Sequence, residues 1–364
     1  MRRSLALQSV LFLGVISTMG MLAAMDAHGF RRAAAVGVVN GGLAKSFETY
    51  YDEHFPGKTL GINLWAAIEY SLFDEAPEGV VVGGQGWLYT DEEFNVTAAA
   101  DASVRRNLAL IERSARQLEA AGVGLVVAIV PAKARIYPEF LSRRRPASAH
   151  VSVYDRLVRE LARARIPVVD LRAPLAQGKT REPTYFRTDT HWTPWGAELA
   201  AREIAKVARQ AGFASSSGTP YVTSVEGVRA LRGDLFNFLP LTPYFSRLLP
   251  REDQVSVMKT EVAADRLAAA GPSTADLFGD DSLPRVTLVG TSYSANALWN
   301  FDGALKESLG EDLTNYAKEG AGPFRPMQAY LQSEDFRVQR PRLVIWEVPE
   351  RALLADSFTP ARTQ

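Results

Sequence analysis

One serine of this sequence follows a short apolar run in the arrangement that a nucleophilic serine needs. Val286–Val289 predicts a buried strand, and Gly290 and Thr291 then lead into Ser292. A serine on a tight turn after a parallel strand lies at the carboxyl edge of the sheet, where open α/β folds place their sites. The Ser292 backbone N–H, at the start of a helix, could stabilise an oxyanion. Ser294 is the rival nucleophile, and a plain strand-to-helix connection is the alternative without chemistry.

A serine nucleophile needs a base, and the chain has only four histidines. His191 lies two residues after Asp189 and just before a predicted helix that Thr193 caps. In a turn, a carboxylate at this spacing can orient an imidazole and stabilise its charge. Asp189, His191 and Ser292 are therefore the candidate catalytic residues, and Trp192 could shield the pair from water. The alternative is an aspartate that caps a loop and a histidine that bonds only to backbone.

The composition excludes several classes of function. The 364 residues contain no cysteine, which excludes disulfides, a cysteine nucleophile and thiolate metal sites. One aspartate and one histidine are too few ligands for another kind of metal site, and the glycines at 83–86 lack the pattern of a phosphate loop. The 41 basic and 41 acidic residues cancel, which disfavours sequence-independent binding of nucleic acid. We expect no metal, no cofactor and no nucleic-acid partner.

The elements that must position the candidate residues alternate between strands and helices. Periodic apolar residues predict helices over 103–121, 153–163, 193–212 and 327–331. Apolar runs predict strands at 125–130, 167–170, 286–289 and 343–348, and a hairpin is predicted at 80–89. This alternation indicates an α/β fold with a mostly parallel sheet and helices on both faces.

The amino terminus has the layout of an export signal. Arg2 and Arg3 precede an apolar stretch of about 20 residues, from Leu5 to Met25, which is near the length of a spanning helix. Asp26 makes the end of this stretch a poor cleavage site, so an uncleaved anchor is favoured over a cleaved signal. With the basic end inside the cell, the rest of the chain lies in the periplasm, attached to the inner membrane. The expected domains are a signal anchor at 1–30, a helical region at 31–79 and a catalytic domain at 80–356.

An ordered set of short motifs carries a family resemblance over residues 45–355. Its members are Gly86-Trp87-Leu88-Tyr89, Val130-Pro131-Ala132-Lys133 with Tyr137-Pro138, Asp189-Thr190-His191-Trp192, Gly233-Asp234-Leu235, Gly290-Thr291-Ser292-Tyr293-Ser294 and Trp346-Glu347-Val348-Pro349-Glu350-Arg351. The set resembles the SGNH-hydrolase-like domain of the alginate O-acetyltransferases AlgJ and AlgX. We expect an AlgJ-type member with an N-terminal hydrophobic helix, because the chain has no room for the carbohydrate-binding module of AlgX.

The resemblance implies roles for individual residues. The family is circularly permuted relative to other SGNH enzymes, so Asp189 and His191 precede Ser292 as members of a catalytic triad. The oxyanion hole would combine the Ser292 N–H with a backbone N–H of Gly320 or Gly322. The asparagine of the third SGNH block has no clear equivalent at the end of the 343–348 strand. The predicted contacts with substrate are Trp192, Tyr293, Arg143, Arg144 and Arg145, with a solvated loop as the alternative for the arginines.

The implied activity is acetyl transfer, through an acetyl-Ser292, to hydroxyls of an exported polysaccharide. Alginate is the expected acceptor, and another polysaccharide such as cellulose is an alternative. Family members receive acetyl groups from a membrane-bound O-acyltransferase of the AlgI type. We therefore expect such a partner, and other subunits of an export complex, at the inner membrane. A periplasmic acetylesterase with the same triad and a non-catalytic scaffold are the other hypotheses.

Overall fold

The computed structural model describes residues 2–27, 30, 38–55, 57–94, 100–141, 151–215, 218–263 and 284–355. The chain divides into two compact units. The first comprises Met1–Glu75 and Leu239–Leu249, and the second comprises Ala76–Phe238 and Pro250–Gln364. The predicted domain boundaries at 30 and 79 stay predictions.

The first unit is helical. Its helices are α1 (Arg2–Ala27), α2 (Gly42–His54) and α3 (Lys58–Ile68), and a π-helical turn follows at Glu69–Phe73. Asn63 of α3 donates a hydrogen bond of 2.6 Å from its side chain to the Pro240 carbonyl. Within the residues described, no helix combines the length and the apolar character that crossing a membrane requires. The predicted location in the periplasm, at the inner membrane, stays a prediction.

The second unit alternates strands and helices. In chain order these are β1 (Val80–Val82), β2 (Leu88–Thr90), α4 (Ala100–Ala120), β3 (Gly124–Val130), α5 (Lys133–Ile136), α6 (Val151–Arg163), β4 (Val168–Asp170), α7 (Arg172–Gly178), α8 (Pro194–Gln210), β5 (Tyr221–Leu231), β6 (Asp253–Val262), β7 (Val286–Val289), α9 (Ser292–Ala295), α10 (Phe301–Leu309), β8 (Leu313–Asn315), α11 (Phe324–Gln332), α12 (Glu334–Val338), β9 (Leu343–Pro349) and α13 (Glu350–Leu354). Short 3₁₀ turns include Asp234–Phe238 and Ala297–Trp299.

Five parallel strands form the central sheet, in the order β4-β3-β9-β7-β8. Alternate residues of β3 enter opposite cores, because successive side chains of a strand point to opposite faces. Val126 and Ala128 join the core that α8 and α10 cover, whereas Val127 and Ile129 join the core that α4, α6 and α11 cover. Burial on both faces explains why β3 is a continuous apolar run. The predicted α/β fold with a mostly parallel sheet and helices on both faces is confirmed.

The elements nearest the candidate residues follow the sequence signals closely. The hairpin predicted at 80–89 is the antiparallel pair β1 and β2. The helix predicted to begin after Thr193 is α8, with Pro194 in its first turn. Thr193 Oγ1 accepts a hydrogen bond of 3.1 Å from the Gly196 N–H and so caps this helix. The segment that carries His191 is thereby held at the start of a rigid element.

The sequence analysis did not predict the two-stranded antiparallel ribbon that β5 and β6 form. The strands pair from Tyr221 opposite Val262 to Leu231 opposite Asp253, with a bulge after Val225. Most side chains of β5 are exposed or only half-buried on both faces. The strand therefore lacks the alternation of apolar and polar residues that marks a half-buried strand. The ribbon matters for the site because it delivers Asp253 to the segment that precedes His191.

Candidate active site

Ser292 lies on the first turn of α9, directly after β7. Thr291 precedes it and caps the turn, since its Oγ1 accepts a hydrogen bond of 3.4 Å from the Tyr293 N–H. Gly290 is required by a close approach: a Cβ at this position would lie 2.5 Å from Glu347 Oε2. The Ser292 side chain is half-buried. Its backbone N–H donates to no other described residue, so this N–H is available to a ligand.

Glu347 fixes the turn from the neighbouring strand β9. This carboxylate is fully buried and accepts hydrogen bonds from the Thr291 N–H at 2.7 Å and from the Thr291 hydroxyl at 3.0 Å. It also accepts the Ser294 hydroxyl at 3.0 Å. Burial raises the pKa of Glu347. The rival nucleophile Ser294 is thus engaged with Glu347, whereas Ser292 is not.

His191 contacts two other candidate residues through its two ring nitrogens. Nε2 lies 2.7 Å from Ser292 Oγ, and Nδ1 lies 2.7 Å from Asp189 Oδ1. Asp189 Oδ1 also accepts the His191 backbone N–H at 2.9 Å, so the same carboxylate oxygen binds both the backbone and the ring of His191. The Asp189 carboxylate, the His191 imidazole and the Ser292 hydroxyl thus form a hydrogen-bonded chain, which is the arrangement that makes a serine nucleophilic.

The aspartate and the histidine are buried together. Asp189 is 4% exposed and His191 is 8% exposed. Burial by itself raises the pKa of Asp189, but the hydrogen bond and the charge of His191 lower it to about 2. Asp189 is therefore ionised at neutral pH and can stabilise an imidazolium.

Asp234 is a second carboxylate beside the imidazole, and its place in Gly233-Asp234-Leu235 is the signal in the sequence that could have found it. Its Oδ2 lies 3.9 Å from His191 Nδ1, and its Oδ1 accepts the Thr190 N–H at 2.8 Å. Burial, and then the charge of Asp189, raise the pKa of Asp234. In the described part of the chain, Asp189, His191 and Asp234 are the one group whose ligand atoms could hold a metal ion, lying within 4.8 Å of one another. A cation there would have to displace the bond between Nδ1 and Asp189.

Two aromatic side chains cover the imidazole. The Trp299 ring stacks on His191 with 5.3 Å between centroids, and its Nε1 donates to the Ser292 carbonyl at 3.1 Å. The Tyr293 ring meets His191 edge-on at 4.7 Å. The Tyr293 hydroxyl donates to the Thr190 carbonyl at 2.9 Å and accepts from Arg351 at 3.0 Å. Trp299 was not among the candidate residues, because no local pattern separates it from a core tryptophan.

Two of the predicted substrate contacts are buried in the structure. Trp192 and Tyr293 are 0% and 1% exposed, so neither of these predicted substrate contacts presents a ring face at the surface. Trp192 Nε1 donates to the Tyr293 carbonyl at 3.2 Å, and its ring packs on Phe301 in the core. Both rings are apolar bodies with one polar atom, and each finds its partner inside. The remaining candidates, Arg143, Arg144 and Arg145, lie outside the described residues.

The glycines predicted to complete an oxyanion hole lie in the loop after β8. Gly320 and Gly322 have φ angles of +66° and +65°, and a Cβ at either would meet open space. The loop starts at the carboxyl edge of the sheet, because the Lys318 N–H donates to the Gly290 carbonyl at 3.2 Å. No hydrogen bond between these described glycines and Ser292 is present, so their role stays a prediction.

Comparison with known proteins gives a consistent result. The SGNH hydrolase-like domain of the acetyltransferase AlgX matches residues 80–350. A probable alginate O-acetylase AlgJ from Azotobacter vinelandii is 46% identical over 94% of this chain and 87% of its own length. Its Pseudomonas aeruginosa counterpart is 48% identical over 89% of this chain and 83% of its own. Among solved structures, the O-acetyltransferase domain of Pseudomonas putida AlgJ is 42% identical, with a TM-score of 0.68 over 78% of this chain and 96% of that domain.

Proposed function

Because this chain belongs to the family of SGNH hydrolase-like acetyltransferases that includes AlgX, we propose that it transfers acetyl groups to hydroxyls of an exported polysaccharide, alginate. The similar proteins described as alginate O-acetylases support alginate as the acceptor. The observation that carries the proposed chemistry is the contact of 2.7 Å between His191 Nε2 and Ser292 Oγ, with Asp189 on the other ring nitrogen.

In the first half-reaction, Ser292 takes the acetyl group from a donor ester or thioester. His191 Nε2 removes the Oγ proton as Oγ attacks the acetyl carbonyl carbon, and Asp189 stabilises the resulting imidazolium. The Ser292 backbone N–H, which has no other acceptor among the described residues, donates a hydrogen bond to the oxyanion that forms. The imidazolium then protonates the leaving group, and acetyl-Ser292 remains.

In the second half-reaction, a sugar hydroxyl replaces the donor. His191 removes its proton, the alkoxide oxygen attacks acetyl-Ser292, and the tetrahedral intermediate expels the serine oxygen, which regains the proton from His191. Water competes with the sugar hydroxyl for acetyl-Ser292, so the polysaccharide must be held close to Ser292 for transfer to prevail. Trp299 and Tyr293 cover the imidazole and reduce the access of water to it.

The donor side of the reaction implies a partner. A domain outside the cytoplasm has no access to cytoplasmic acetyl-CoA, so the acetyl group has to arrive through a membrane protein of the AlgI type. We place the chain in the periplasm, attached to the inner membrane beside that acyltransferase and the other export-complex subunits. Cross-linking of the full chain in cells, followed by identification of captured membrane proteins, tests this placement.

The decisive experiment measures acetyl mass on oligosaccharides. Mannuronate oligomers are incubated with the full chain and a chromogenic acetyl ester, and the products are weighed by mass spectrometry. We expect acetylated oligomers with the wild type and none with Ser292→Ala. Release of acetate without acetylated oligomers would instead indicate an esterase, and absence of both would indicate a scaffold.

Ionic strength separates the candidate acceptors. Binding of a polyanion by cationic side chains weakens as salt rises, because charges at the surface are screened. We expect the apparent KM for mannuronate oligomers to rise between 50 and 500 mM salt, while that for cello-oligosaccharides stays constant. Acetylation of cello-oligosaccharides alone would overturn alginate as the acceptor and leave acetyl transfer intact.

A further inference from the structure

Asp234 and Asp189 are joined by hydrogen bonds around Thr190. The Asp234 backbone N–H donates to Asp189 Oδ2 at 2.9 Å, and Asp234 Oδ1 accepts the Thr190 N–H at 2.8 Å. This interlock needs a close approach of two backbones, since a Cβ on Gly233 would lie 2.1 Å from the Thr188 carbonyl oxygen. Asp234 therefore helps to orient the Asp189 carboxylate, whose other oxygen contacts the His191 imidazole.

The second oxygen of Asp234 has a different neighbour. Its Oδ2 lies 3.9 Å from His191 Nδ1, too far for a hydrogen bond but close enough for its charge to act on the ring. The Asp234 side chain is 22% exposed, so solvent screens this charge only in part. Two carboxylates consequently face the same edge of the imidazole, one in contact and one at a distance.

Other charged groups surround this cluster. The Lys133 ammonium donates to the Asp189 carbonyl at 2.9 Å and offsets part of the negative charge. Asp253 of β6 accepts the Thr188 N–H at 2.7 Å, and Glu93 accepts the Lys133 N–H at 3.1 Å. Two other charged residues are Arg187, whose backbone N–H donates to Asp253, and Arg351, which donates to the hydroxyl of the Tyr293 that packs on His191. Among these, Asp253 bonds the same segment as Asp234 without touching Asp189.

We propose that Asp234 is a positioning residue that aligns Asp189 with His191 and adds a second negative charge beside the imidazolium formed when Ser292 is deprotonated. The inference rests on the proposed function of Ser292 and His191. It assigns Asp234 no contact with substrate, because its carboxylate reaches Thr190 and the Nδ1 edge of His191, on the side of the ring opposite Ser292.

The test is the pH profile of kcat/KM for a chromogenic acetyl ester, measured with full-chain variants. Asp234→Asn keeps the backbone N–H and an oxygen for Thr190 but removes the charge. Loss of a nearby negative charge destabilises the imidazolium, so we expect the acidic limb to move to lower pH. The plateau should fall about 10-fold, since the imidazolium is less stabilised in the transition state.

Two further variants separate charge from scaffolding. Asp234→Glu retains the charge and should keep the wild-type acidic limb, even where its longer arm lowers the plateau. Asp253→Asn removes a carboxylate that only holds the loop, and it should lower the melting temperature without moving the limb. An acidic limb that stays in place in Asp234→Asn, or moves equally in Asp253→Asn, would overturn the role of Asp234.

A readout without turnover keeps this inference distinct from the proposed function. An NMR pH titration of the His191 ring signals is recorded in Ser292→Ala, with and without Asp234→Asn. We expect the signals to titrate at lower pH in the double variant, whatever reaction the protein catalyses. Coincident titration curves would refute the second charge, whereas acetyl transfer by Ser292→Ala alone would refute only the proposed function.

Discussion

Glu347 and Ser294 form a buried hydrogen bond of 3.0 Å between β9 and the turn that carries Ser292. The bond determines which serine of the segment is free to meet His191. Ser294 is only 3% exposed and directs its hydroxyl to Glu347, whereas Ser292 Oγ lies 2.7 Å from His191 Nε2.

The two serines should therefore respond differently to substitution. Ser294→Ala removes one of the hydrogen bonds to Glu347 and leaves the others in place, so we expect a loss of about 1 kcal/mol in unfolding free energy. Its acetyl-transfer rate should stay within a few-fold of wild type. Ser292→Ala should keep stability and lose transfer. Labelling by a serine-reactive phosphonate, mapped by peptide mass, checks this: a label on Ser294 would contradict the assignment.

Glu347 should make stability depend on pH. Because burial raises the pKa of Glu347 above its unfolded value of 4.5, its contribution to stability is fully present below pH 4.5 and is lost as pH rises through the folded pKa. Glu347→Gln cannot ionise, so its stability relative to wild type should improve as pH rises above 4.5. Urea unfolding at a series of pH values measures the difference, with the exposed Glu319→Gln as control. A constant difference would count against this account.

Asp189 has the opposite pH dependence. The lowered pKa of Asp189, about 2, means that its contribution to stability is present above the unfolded value of 3.8 and is lost as pH falls through 2. In Asp189→Asn this acid-sensitive contribution is absent, so the unfolding free energy should change less between pH 4 and pH 2 than in wild type.

The Asp189→Asn variant also presents an amide to His191 Nδ1 and should lower kcat about 10⁴-fold. Activity near that of wild type would exclude Asp189 from the catalytic unit.

Lys133 is a buried cation with a structural task. Its ammonium donates to the carbonyls of Leu88, Arg187 and Asp189 at 2.6, 3.0 and 2.9 Å, and the side chain is 0% exposed. Lys133→Met would remove all three hydrogen bonds and leave the Leu88 and Asp189 carbonyls without this donor, so we expect a loss of about 3 kcal/mol or more in unfolding free energy. Calorimetric melting measures it. The control is Lys206→Met, which removes an ion pair on exposed α8 surface and should change stability by about 0.5 kcal/mol or less.

Gly233 sets the distance between Asp234 and the loop before His191. A methyl group there would lie 2.1 Å from the Thr188 carbonyl oxygen, so Gly233→Ala must push the two backbones apart. We expect a loss of more than 10-fold in kcat, together with a lower melting temperature. Gly227→Ala adds a methyl group where no atom lies within 4 Å and should leave kcat unchanged. Equal effects of the two substitutions would show that the close approach is unimportant.

Local signals in the sequence are sufficient for four of the five strands of the central sheet, all but β8, and for the choice of Asp189, His191 and Ser292 as candidate catalytic residues. The continuous apolar run of β3 identifies a strand buried on both faces, and Thr193 with Pro194 identifies the start of α8. His191 and Ser292 stand at the ends of such elements, where polar side chains are otherwise hard to explain. These signals act over a few residues, which is why they can be read without coordinates.

Only the tertiary structure decides which candidate side chains contact each other, and which aromatic ring packs on His191. His191 and Ser292 are 101 residues apart, and nothing local fixes the direction in which either side chain points. Trp192 and Trp299 are chemically the same, yet one packs in the core and the other stacks on the imidazole. Asp234 and Glu347 likewise reach their partners across 44 residues or more. Hydrogen bonds and ring contacts of this kind depend on distances of a few ångströms, and those distances exist only once the sheet has brought the strand ends together.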